Sequence, residues 1–118
     1  MYSMDGLDSL RDKAVEAAQF AARKTKKLAE IAKTNLAIHA EKDKIKKAQL
    51  ELGKLYYRDH CQAGSRNEEE YLPWCKKIDE CRQTIRDLRV YMEELRTEKV
   101  IMEAENTTAV PEEDTVQE

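Results

Sequence analysis

Turn-forming residues are scarce in this chain: three glycines and two prolines among 118 residues. Between Leu7 and Tyr57 there is no proline, and Gly53 is the only glycine. Aromatic side chains are also few, at 6%, which leaves little material for a thick globular core. No apolar run approaches the ~20 residues that a membrane-spanning helix needs. The N-terminus carries Asp5, Asp8, Arg11, Asp12 and Lys13 and no apolar signal-peptide core, so a cytoplasmic location is expected. Three cysteines, an odd number, suit free thiols in a reducing compartment.

Recognisable chemistry is missing too. The chain has no glycine-rich phosphate loop, and neither a Ser-His-Asp set nor a pair of carboxylates can be argued. His60 and Cys61 are adjacent, and no second ligand pair lies at CxxC or HxxxH spacing. Cys75 and Cys81 are six residues apart, about 240° around a helix, so they share no ligand face. The expectation is a protein that is not an enzyme, with no cofactor and no metal. The stretch DHCQAGSRN (59–67) then reads as a turn rather than a site.

What is present is helix. Charged residues make up 38% of the chain, and its composition is heavy in Ala, Glu, Lys, Leu and Arg, a mix typical of coiled coils. Asp5 is placed to cap a first helix. In that segment apolar residues recur at Leu10, Ala17, Ile31, Ile38, Ile45 and Leu52. The expected partner line is mixed: Ala14, Ala21, Leu28, Asn35, Lys42, Gln49 and Tyr56. The second segment is cleaner. Tyr71, Trp74, Ile78, Cys81, Ile85, Leu88, Met92, Leu95, Lys99 and Met102 follow steps of three and four, with Lys99 alone breaking the apolar rule.

Gly64 would stop the first helix, and Ser65 or Asn67 would cap the second. Pro73 predicts either a distorted first turn after Glu68 or a regular helix starting near Pro73. The predicted fold is all-α: a long antiparallel two-helix coiled-coil hairpin over 23–102, with its turn about 58–68. An Ala-rich helical extension covers 1–22, and a disordered acidic tail covers 103–118. Ile38, Ile45, Leu52, Trp74, Ile85 and Leu88 should be among the most buried residues.

Charge is uneven. Residues 1–56 carry a net +4 and residues 57–118 a net −7, against −3 for the whole chain. Nine bases crowd 23–47: Arg23, Lys24, Lys26, Lys27, Lys33, Lys42, Lys44, Lys46 and Lys47. They form either the solvated face of a long helix or a surface for an anionic membrane. Nucleic acid is not an expected partner, because the net charge is negative and no aromatic residues accompany the bases.

One hairpin seam containing Asn35, Lys42 and Gln49 is a thin core, so self-association is expected, most simply as a homodimer. Off the seam lie Leu36, Ala48 and Leu55 on the first helix and Val90, Tyr91 and Ile101 on the second. The extension adds Val15, Ala18, Phe20 and Ala22. Val15, Phe20, Leu55, Val90 and Tyr91 are the expected interaction residues.

The stretch DKAVEAAQFAARKTKKLAEIAKTNLAIHAEKDKIKKAQLELGKLYY (12–57) resembles the N-terminal helical-hairpin region of small uncharacterised Firmicutes proteins often described as zinc-ribbon domain proteins. The element LGKLYY (Leu52–Tyr57) is its most distinctive part, and the resemblance covers roughly residues 10–100. It implies a helical hairpin in a bacterial protein. The paired CxxC motifs that end many of those proteins have no counterpart after Met102, so no zinc function carries over.

Overall fold

The computed structural model describes residues 2–62 and 67–108, with side chains from Gly6 to Asn106 outside the 63–66 gap. Its elements are α1 (Tyr2–Cys61), a short 3₁₀ turn (Glu68–Glu70) and α2 (Leu72–Thr108), with no strand among the described residues. The fold is an antiparallel helical hairpin, as the two heptad patterns predict.

α1 runs unbroken for 60 residues, because nothing inside it lacks an amide proton and Gly53 is its only glycine after Gly6. Its first residue is Tyr2, so Asp5 lies inside the helix rather than at its cap. The helix closes where the Gln62 amide donates to the Tyr57 carbonyl at 3.2 Å. The expected stop at Gly64 and cap at Ser65 fall outside the described residues. Asn67 does act as a cap, of the 3₁₀ turn rather than of α2: its Oδ1 accepts from the Glu69 amide at 3.2 Å. Both readings of Pro73 contain part of the outcome. A 3₁₀ turn comes first, and α2 then starts with Pro73 in its second position, where no amide proton is needed.

The chain divides into two compact units, one of residues 33–93 and one of residues 1–32 with 94–118. In the first unit α1 and α2 run antiparallel: Arg58 pairs with Glu70 beside the bend, and Glu41 meets Cys81 further along. The α2 face is the predicted one, with Ile78, Cys81, Ile85 and Met92 buried and Tyr71, Trp74 and Leu88 half-buried. On α1, Ile38 is buried and Ile45 and Leu52 are half-buried, so of the six residues expected to be most buried only Ile38 and Ile85 reach the buried core.

The second line of α1 differs from the expected one. Asn35, Lys42, Gln49 and Tyr56 are exposed, and the second line instead runs through Thr34, Glu41, Ala48 and Leu55. Ala48 is only 1% exposed, the deepest side chain of the hairpin. Both lines flank the Ile38–Ile45–Leu52 row. Small Thr34 and Ala48 let the helices approach, whereas Asn35, Lys42 and Gln49 would each bury a polar end at a cost. Ala48 and Leu55 therefore belong to the hairpin seam and are not surface residues.

In the other unit α1 and α2 are again antiparallel, with Lys24 bonded to Glu103 at 3.0 Å and Lys27 to Glu98 at 3.2 Å. Leu95 is buried, and Phe20, Ile31, Lys99 and Met102 are half-buried. α2 continues to Thr108, so the first residues of the expected acidic tail are helical, while 109–118 lie outside the described residues. The extra turn brings Glu105 and Asn106 into a groove with Glu16, Phe20 and Met102. Phe20 thus has neighbours on α2, and the fully exposed stretch of α1 is 6–19.

Candidate interaction surface

Polar chemistry gathers at the bend. Arg58 Nε donates to Asp59 Oδ1 at 2.8 Å, and Arg58 Nη1 donates to Glu70 Oε2 at 2.7 Å. Tyr71 Oη donates to Asp59 Oδ2 at 2.6 Å. Asp59 occupies the seam position seven residues after Leu52, so its side chain is 98% withdrawn from solvent, with 2% exposed. Arg58 first, and then Tyr71, hold the Asp59 carboxyl below the ordinary aspartate range. Asp59 and Glu70 in turn raise the Arg58 guanidinium. Four side chains thus clasp the end of α1 to the start of α2. Sequence reasoning passed over this clasp. The available signal was an aspartate in heptad register with Leu52, which requires a donor across the seam.

A second polar contact lies mid-seam. Burial pushes the Cys81 thiol up, and its hydrogen bond to the Glu41 carboxylate adds to the shift. Glu41 is held low mainly by Lys44, whose Nζ is 2.8 Å from its Oε2. A raised, buried thiol is a packing group rather than a nucleophile. Cys61 and Cys75 are exposed, and His60 stacks on Tyr56 with ring centroids 4.2 Å apart. Among the described residues no three His, Cys, Asp or Glu side chains come together as a metal-holding group.

What remains is apolar surface. Each helix turns one face to its neighbour, and large side chains stand in solvent on the others. On α1 of the 33–93 unit these are Leu36, Leu50, Tyr56 and Tyr57, and on α2 they are Leu72, Val90 and Tyr91. In the other unit they include Leu7, Leu10, Val15, Leu28, Val100 and Ile101. Of the expected interaction residues, Val15, Val90 and Tyr91 are exposed, while Phe20 and Leu55 are half-buried along the seam face of α1. Comparison with protein-family models, with curated proteins and with solved structures finds no match. The surface itself therefore carries the functional argument.

The basic segment is partly spent. Lys24 and Lys27 bind Glu103 and Glu98, and Lys44 binds Glu41. Lys24 and then Lys99 hold the Glu103 carboxyl below its usual range. No described helix is long and apolar enough to cross a membrane.

Proposed function

We propose that this protein is a non-enzymatic scaffold that acts through helix–helix contacts and assembles with itself, most simply as a dimer. One observation carries the reading: the hairpin buries a single stripe of each helix and leaves Leu36, Leu50, Tyr57, Val90 and Val100 each more than half exposed. Covering such side chains gains roughly 25 cal/mol per Å² of apolar area, which a lone hairpin forgoes. Closing a bundle from two hairpins recovers it. A cytoplasmic location fits this role, as does the resemblance to hairpin regions of Firmicutes proteins.

The alternative is a peripheral, envelope-associated hairpin that uses the basic 23–47 face. Three of its nine bases already pair with acids of the same chain, which weakens that reading. Sedimentation equilibrium at micromolar concentration tests the proposal, and a dimer is expected. A 13.7 kDa monomer with full helicity, pelleting with anionic but not with neutral vesicles, would transfer the role to the membrane surface.

A further inference from the structure

The outer face of α1 in the 33–93 unit has an order of its own. Leu36, Asp43, Leu50 and Tyr57 recur every seven residues, and His39, Lys46 and Gly53 follow three places after the first three. All seven are exposed. Leu36, Asp43 and Leu50 stand two residues before Ile38, Ile45 and Leu52, so they point about 160° away from the hairpin seam. They form a second heptad stripe on the same helix.

We propose that a second copy of this chain docks on that stripe, antiparallel to the first, about a two-fold axis level with the midpoint between Asp43 and Lys46. The inference rests on the helix–helix reading above and names its partner and its contact. In an antiparallel coiled coil each line of one helix faces the other line of its neighbour. Read in that way, the stripe complements itself. Asp43 faces Lys46 of the second copy, and Lys46 faces its Asp43. Leu36 faces Gly53 of the second copy, and Leu50 faces its His39. The two-fold repeats each pair, as a closed dimer requires.

Two features otherwise unexplained within the chain fall into place. Asp43 and Lys46 take part in none of the ion pairs found among the described residues. Gly53 sits inside a helix, where glycine is weaker than alanine, although a Cβ there would meet nothing within 4 Å. No neighbour among the described residues requires the glycine. A leucine from a second copy does, because the missing side chain is the hole into which Leu36 packs.

The test is sedimentation equilibrium of the full chain, four substitution variants and a chain lacking residues 1–22, with circular dichroism to follow helicity. Gly53→Leu should raise helicity yet weaken the dimer roughly tenfold, by filling the hole. Asp43→Lys and Lys46→Asp should each weaken it roughly tenfold, by setting like charges face to face. The double variant D43K/K46D should restore the wild-type constant. A dimer indifferent to all four would overturn the docking face while leaving self-association standing. A dimer lost only when residues 1–22 are removed would do the same and assign the contact to the N-terminal extension. A monomeric wild type would remove both readings together.

Discussion

Asp59 occupies a position that a coiled coil ordinarily gives to an apolar side chain, and it stays because each of its carboxylate oxygens accepts a hydrogen bond. Arg58 and Tyr71 supply donors at 2.8 and 2.6 Å. A polar group held in this way fixes register, since sliding α2 by one residue would strand it. Its pH dependence follows from the direction of its shift. Folded Asp59 binds its proton more weakly than unfolded Asp59 does, so protonation favours unfolding. The contribution is complete above the ordinary aspartate range, about 3.9, and is lost as pH falls through the lower folded value. Asp59→Asn should therefore lower the melting temperature at pH 7 and flatten its decline in acid. Equal acid sensitivity in the variant and the wild type would remove the clasp from the stability argument. The thiols separate by burial in the same manner. Native protein should react with a maleimide at Cys61 and Cys75 promptly and at Cys81 only after unfolding. Cys81→Ser should cost about 1 kcal/mol in a chemical melt.

The two helices were unequally legible in the sequence, and the reason is chemical. On α2 both seam lines are apolar from Tyr71 to Leu95, so the steps of three and four admit one reading, and burial follows it. On α1 only the Ile31–Ile38–Ile45–Leu52 line is apolar. Either neighbouring line contains polar residues, and the choice between Asn35–Lys42–Gln49 and Thr34–Glu41–Ala48 depends on what α2 presents across the seam. Glu41 is accepted because it receives the Cys81 thiol and remains within reach of Lys44. The end of α2 was hidden for a similar reason: Glu103 reads as part of an acidic tail until Lys24 and Lys99 are placed beside it. Adjacent residues give a direct test of the register. Ala48→Gln should destabilise the hairpin by about 2 kcal/mol, because it overfills a closed site. Gln49→Ala should stay within about 0.5 kcal/mol of wild type. If urea melts ranked them the other way, the expected line through Gln49 would be the true seam.

For the whole chain, stability and assembly should prove to be one quantity. About half of the large apolar side chains described on α1 and α2 are exposed, while the core of the hairpin is one stripe wide and includes Thr34, Glu41 and Asp59. A fold with so narrow a seam gains much of its margin from whatever covers its outer faces. When the cover is a second copy, mass action links folding to protein concentration. Each tenfold rise in concentration then favours the folded dimer by about 1.4 kcal/mol, which for two chains of this size is about 3 °C in melting temperature. Thermal melts by circular dichroism across two decades of concentration should show that rise. Removing residues 1–22 leaves the 33–93 unit untouched in sequence, so its helices should still form. The midpoint should fall at every concentration, because exposed Leu7, Leu10 and Val15 are lost with the extension. A midpoint that stays fixed across the series while helicity remains full would mean that the hairpin stands alone, and that its exposed leucines await a different partner.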